Sequence, residues 1–151
     1  MAGGLILVFN SGSSTLKFGC FGGTELRALA GGAVEWRDGR GVAVVRDAVG
    51  AELLRTDVAA TGHGAAVGEV LAALEGGGII PSKKGHGVAA IGHRVVHGGA
   101  HFRSGVAVDA AVKARIREFA NLAPLHNPPA LAAIEDAEAA LAPVPQVAVF
   151  D

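Results

Sequence analysis

Three polar clusters in this sequence hold residue types that could do chemistry: Asn10-Ser11-Gly12-Ser13-Ser14-Thr15 with Lys17, His93-Arg94 with His97, and Asp151. The first packs an amide, four hydroxyls and an ammonium around a glycine. Successive backbone N–H groups in such a turn form an anion-binding concavity, and hydroxyls plus a cation add matched donors. An ordinary Ser/Asn/Gly hairpin tip with a solvated lysine would have the same composition. Arg94 brings a planar fork able to hold a carboxylate or a phosphoryl group through two bonds, which an ammonium cannot do; the alternative is a structural arginine tying down a loop. Asp151 is a hard oxygen ligand of the kind Mg²⁺ prefers, or simply a carboxylate beside a helix end. Phosphate donors, an arginine and a metal-binding carboxylate are the parts phosphoryl transfer requires, because its catalysis is mainly positioning and charge neutralisation.

Other chemistries find less support. His93, His97 and His101 recur every four residues, a metal-ligand spacing on a helix, but Gly98-Gly99 interrupts any helix and no HExxH motif is present. That makes a zinc-dependent hydrolase the weaker reading. Neither GxxxxGK[ST] nor a GxGxxG after a strand occurs, so Walker-type and Rossmann sites are unsupported. The single cysteine, Cys20, falls in an apolar strand and reads as a buried, inert thiol.

The elements that would position these clusters follow from periodicity. Leu5–Phe9 and Leu16–Phe21 flank the first turn as a hairpin. Leu26–Trp36 and Gly41–Val49 read as strands joined by an Asp38-Gly39 turn, with a weaker strand over Ala51–Val58. From Ala66 to Leu74 the apolar period becomes helical, and Gly76-Gly77-Gly78 ends it. Ile79–Gly87 reads as a surface loop and Val88–Ile91 as a short buried strand. Asp109–Leu122 is amphipathic with Asp109 as N-cap, and a second helix runs from about Pro129 to Leu141, capped by Asn127. Gln146–Phe150 is a final buried strand. Strands first as a meander, then alternating with helices, predict an α/β domain with a mixed sheet and flanking helices. Ligands of open α/β sheets bind at the carboxyl ends of strands, so the three clusters are expected to converge on one cleft.

Length and composition set the outer bounds. The 151 residues suffice for one domain with a substantial core. Fourteen acidic against thirteen basic residues argue against a nucleic-acid or membrane-surface role. No apolar run approaches the length of a membrane span, and no signal peptide is recognisable. A cytoplasmic setting is expected. The chain ends at the last residue of an apolar strand, which predicts a piece of a longer protein.

Asn10-Ser11-Gly12-Ser13-Ser14-Thr15-Leu16-Lys17 resembles the first signature of acetate kinases, and Gly92-His93-Arg94-Val95-Val96-His97-Gly98-Gly99 resembles their second. Ala123–Pro128 and Val147–Asp151 are similar to further family segments, in the right order. The resemblance covers 1–21 and 88–151; between them it rests on length and element order. It implies a ribonuclease-H-like domain of the acetate and sugar kinase/Hsp70/actin superfamily, spanning 1–151 and truncated at its C-terminal end, with the second, nucleotide-binding domain absent. It also implies transfer of the γ-phosphoryl of ATP to acetate, Mg²⁺, and a homodimeric full-length enzyme. By position, Asn10, Ser13 and Thr15 would face the phosphate, with Asn10 also at the metal, and Lys17 would support that hairpin. Arg94 would hold the acetate carboxylate, Val96 and Leu125 would line the methyl pocket, and His126 would support it. Asp151 would act through the metal or as a polarising carboxylate. Thr15 departs from the family's usual serine while keeping the hydroxyl. A second arginine, a further histidine and a metal-associated glutamate of the family are not in this chain, so the fragment alone is expected to be inactive. A propionate or other short-chain acyl kinase, and a non-catalytic nucleotide-binding module, are the alternatives.

Overall fold

The computed structural model describes residues 4–59, 66–81, 87–95, 105–119, 127–141 and 144–150. Five strands come first: β1 (Leu5–Ser11), β2 (Thr15–Gly22), β3 (Arg27–Arg37), β4 (Arg40–Asp47) and β5 (Glu52–Val58). Then follow α1 (Ala66–Gly76), β6 (Val88–Val95), β7 (Val106–Ala107), α2 (Ala110–Glu118), α3 (Asn127–Leu141) and β8 (Gln146–Phe150). All eight strands form one sheet in the order β5-β4-β3-β2-β1-β6-β8-β7. Strands β1 to β5 are an antiparallel meander, whereas β6 runs parallel to β1 and β8 parallel to β6. The expected mixed sheet is therefore present.

Strand alternation decides which face is covered. Leu5, Leu7 and Phe9, then Leu16, Phe18 and Cys20, then Val34, Ala43 and Val45 turn to one side and are buried. Against that side pack Val67, Val70, Leu71 and Leu74 of α1 with Ala133 and Ala137 of α3. Val112 and Ile116 of α2 join Ile134, Val95, Ala148 and Phe150 in a second cluster on the same side. Among the described residues no helix covers the opposite face, where Val8, Val147 and Val149 stand exposed.

Local signals read from sequence hold where the backbone chemistry is specific. Asp38 (φ 54°) and Gly39 (φ 74°) make the two-residue turn between the paired Arg37 and Arg40, as a hairpin of this twist requires. Helix α1 is closed just past its last residue by Gly78 (φ 79°), where Ile79 N donates to Leu74 O at 2.9 Å and Gly78 N to Glu75 O at 3.1 Å, a Schellman closure. Its other end is held from outside, by Asp136 of α3, whose Oδ2 accepts from Val67 N at 2.8 Å. Asp109 caps α2, accepting from Val112 N at 2.8 Å.

Several expected boundaries move. Ile80 is buried, so the surface loop after α1 begins with a core anchor. Strand β6 does not stop at Ile91 but runs to Val95, which puts His93 and Arg94 inside the sheet. Helix α2 ends at Glu118 with Phe119 as C-cap. Helix α3 already includes Asn127, whose side chain lies outside the described residues. Strand β7, antiparallel to β8, was not expected.

Candidate active site

The signature residues meet in one row across the sheet. Lys17 pairs with Asn10, Asn10 with Arg94, and Arg94 with Val149, on strands β2, β1, β6 and β8. Direct cross-strand partners point to the same face, so all four side chains emerge on the open side of the sheet. Two are strand-end residues of parallel neighbours: β1 and β6 diverge in sequence by 84 positions, yet Arg94 Nη1 approaches Asn10 Oδ1 at 3.4 Å. Because the amide oxygen faces the guanidinium, the Asn10 NH₂ group is left to donate. Arg94 and Lys17 are exposed and Asn10 is half-buried.

The turn between β1 and β2 is tighter than a free anion cradle. Gly12 N donates to Thr15 O at 2.8 Å, so that N–H is already taken. Ser11 is 6% exposed and turns toward the helices, which removes its hydroxyl from the group expected around a phosphate. Ser13 and Ser14 are exposed and Thr15 is half-buried. A Cβ on Gly12 would lie 2.8 Å from Thr15 Oγ1, so glycine at 12 lets the Thr15 hydroxyl lie over the turn. Ser14 O accepts from Trp36 N at 3.0 Å and ties the tip to β3.

Beneath Arg94 lies a buried polar strut. His93 is 2% exposed, stacks on Phe9 with ring centroids 5.6 Å apart, and places Nε2 at 2.5 Å from Gln146 Oε1. Gln146 Nε2 in turn donates to Ile134 O at 3.2 Å. An amide oxygen only accepts, so His93 carries its proton on Nε2, and Nδ1 is buried without a partner. Burial lowers its pKa from 6.5 to about 4, against the raising effect of the Gln146 bond. The strut links β6, β8 and α3 directly behind the Arg94 row. With His93 in a strand and its Nε2 engaged, the zinc-ligand reading loses its helix; His97 and His101 lie outside the described residues. Among the described residues, no group of three His, Cys, Asp or Glu is placed to hold a metal.

Of the other predicted site residues, Val96, Leu125, His126 and Asp151 lie outside the described residues. The described structure thus brings Asn10, Lys17 and Arg94 together, with Ser13 and Thr15 on the adjoining turn. Cys20 is buried, and burial raises its thiol pKa to about 11, in keeping with an inert role.

The pattern of the acetokinase family matches residues 5–151. The chain belongs to the acetokinase family. It is 40% identical to the acetate kinase of Natranaerobius thermophilus over 148 residues, covering 97% of this chain and 37% of that protein. To the acetate kinase of Alkaliphilus metalliredigens it is 43% identical, with the same coverage. Among solved structures, Porphyromonas gingivalis acetate kinase superposes with a TM-score of 0.88 at 32% identity, over 100% of this chain and 37% of that one. A propionate kinase from Francisella tularensis gives 0.82 at 29%, with the same coverage. This acetokinase chain therefore spans little more than a third of the length of the relatives it matches, and its fold is that of the acetate and sugar kinase/Hsp70/actin superfamily. The match is continuous through 22–87, where the signatures are silent. No helix among the described residues is long and apolar enough to cross a membrane.

Proposed function

We propose that the full-length protein is an ATP-dependent acetate kinase and that this chain supplies the side of the cleft that grips the carboxylate and the phosphoryl group. The observation that carries the reading is the convergence of Arg94, Asn10 and Lys17 in one cross-strand row. In the reaction an acetate oxygen attacks the γ-phosphorus, the bond to the β–γ bridging oxygen breaks, and ADP leaves with that electron pair. Arg94 orients the carboxylate and spreads the charge growing on the phosphoryl oxygens. Asn10 donates through its amide NH₂, the Ser13 and Thr15 hydroxyls donate from the turn, and Lys17 adds positive charge. Val96 and Leu125 are proposed to line the methyl pocket with His126 as support, and Asp151 to act at the metal or as a polarising carboxylate.

The domain assignment belongs to the same reading: a ribonuclease-H-like unit over 1–151, with adenosine bound by a second domain elsewhere in the protein. So do Mg²⁺, a homodimer and a cytoplasmic setting. Among the described residues the proposed Mg²⁺ ligand is Asn10, and its amide oxygen faces the Arg94 cation, which does not suit a second positive charge. No step is routed through the ion.

Arg94→Ala in the full-length protein tests the reading. Turnover with acetate should fall by about a hundredfold or more, and Arg94→Lys should recover little of it, because an ammonium lacks the fork. Unchanged turnover would take Arg94 out of the proposed role, and a full-length protein that binds ATP without phosphorylating acetate would instead favour a nucleotide-binding module. The likeness to a propionate kinase supports a second reading, a short-chain acyl kinase with another preferred acid. One methylene shifts preference by about 1–3 kcal/mol, so comparing kcat/KM for acetate and propionate separates the two.

A further inference from the structure

The open face of the meander carries a second feature, of which the phosphoryl-transfer reading uses only Lys17. Continuing outward from Lys17, the same cross-strand row passes through Ala33 and Val44 to Arg55 on β5. Along it lies a groove of about 570 Å³, walled by Lys17, Arg37, Arg40, Arg46 and Arg55. Its floor is apolar, made by Val42, Val44 and Ala33.

The charge there is out of proportion to the chain. The whole sequence has a net charge of −1, yet among the described residues these five cations share their sheet face with only three carboxylates, Glu35, Glu52 and Asp57. Glu35 lines the groove, and Glu52 binds Arg55 at 2.8 Å and reaches Arg46 at 4.0 Å. Asp57, opposite Val42 on the outermost strand, does not line it. Arg37 and Arg40 are directly paired across the hairpin end, and neither is within ion-pair distance of a carboxylate among the described residues. Like charges placed opposite each other on one sheet face weaken the pairing. An anion between them would turn that repulsion into two charge-assisted bonds.

We propose that this groove is a second anion site, meeting the Arg94 site only at Lys17, that binds a chain of two or three phosphates. The size fits one small molecule and not a polypeptide or nucleic acid. Adjacent strands lie about 4.8 Å apart, so Lys17 on β2 and Arg55 on β5 stand about 14 Å from each other across three intervals. One orthophosphate cannot bridge that span; linked phosphates reach much further along it. The phosphates are either free or carried by an organic group, for which Val42 and Val44 offer an apolar seat. Both sources share the same recognition chemistry.

Amide chemical-shift titration of the 151-residue chain tests this, with tripolyphosphate, ADP and orthophosphate as probes. Saturable shifts should appear at Arg37, Arg40, Val42 and Val44, with affinity for tripolyphosphate or ADP about tenfold or more above orthophosphate. Tighter binding of ADP identifies an organic carrier, and tighter or equal binding of tripolyphosphate a free polyphosphate. Charge reversal at Arg37→Glu with Arg40→Glu should weaken binding at least about tenfold, while Arg94→Ala leaves it unchanged. Should the double variant lose its dispersed spectrum, Arg40→Gln alone should still weaken binding. Shifts confined to Asn10–Lys17 and abolished by Arg94→Ala would overturn the proposal without touching the proposed kinase activity. So would non-saturable shifts, or a poly-glutamate peptide binding more tightly than any phosphate.

Discussion

His93 donates its Nε2 proton to Gln146 Oε1 at 2.5 Å, joining two parallel strands behind the face on which Arg94 emerges. The bond needs a neutral imidazole only in the sense that Nδ1, buried and unpartnered, has no acceptor for a second proton. Folding therefore opposes protonation, and the pKa drops from 6.5 to about 4. A depressed folded-state pKa in a base gives stability that is complete above the unfolded value and is lost as pH falls toward the folded one. Urea unfolding should show a loss of up to about 3 kcal/mol between pH 6.5 and 4 from this residue. In His93→Gln that part of the slope should vanish. An unaltered pH profile in the variant would assign the slope to other groups.

Asp136 reports on a second buried contact with the opposite titration sense. Its carboxylate caps α1 through Val67 N, yet desolvation outweighs that bond and raises its pKa. A raised carboxylate pKa means that ionisation weakens the fold, and the penalty is relieved as pH falls through the folded value. Asp136→Asn keeps an acceptor oxygen without the charge and should leave the melting temperature at pH 7 unchanged or higher. Asp136→Ala should lose about 1 kcal/mol, the cost of an N-cap. Thermal melts of the two variants at pH 7 check the ordering; equal losses would mean that the charge itself is what α1 uses.

Cys20 gives a kinetic test of the core. Its thiol is buried and raised to about 11, so native protein at pH 8 holds little thiolate and offers no path to it. Labelling by a disulfide reagent should proceed only as fast as the protein opens, and should become rapid in denaturant. Cys20→Ser places a hydroxyl in the same apolar site and should cost about 1–3 kcal/mol. Rapid labelling of the native protein would contradict the closed packing of β2 against the helices.

The parts of this molecule that were legible in sequence are those in which one local signal suffices. Asp38-Gly39 names its turn through positive φ, Gly78 closes α1 in the same way, and Asp109 caps α2 with its own side chain. In sequence, strand β6 reads shorter than it is because Gly92, His93 and Arg94 look like a polar loop. The alternation was nevertheless there: Ile91, His93 and Val95 face inward and Arg94 outward. A histidine at a core position hides that pattern, because its burial depends on Gln146, 53 residues away. Strand β7, at two residues, is too short to carry a period. The signatures named Asn10, Lys17 and Arg94, but not that they form one row, since register between β1 and β6 is set by tertiary pairing. The Arg37–Arg55 groove has no sequence signal at all, because its cations lie on different strands.

The turn that carries the Ser13 and Thr15 hydroxyls makes a last prediction, in which stability and function should separate. Gly12 has no left-handed backbone angle, so alanine is not excluded by conformation. Its Cβ would instead press on Thr15 Oγ1 at 2.8 Å. The hydroxyl is the end of a side chain with other χ1 positions, and it would swing away from the turn. In the isolated chain Gly12→Ala should therefore cost only about 1 kcal/mol, read from its unfolding midpoint. If Thr15 has the proposed role, the displaced hydroxyl would no longer meet the phosphate in the full-length protein, and kcat should drop several-fold or more. Thr15→Val, which removes the hydroxyl without crowding, should give a similar kinetic loss, and the double variant should lose little beyond either single one. Additive losses in the double variant would show that Gly12 serves the site by some route other than Thr15.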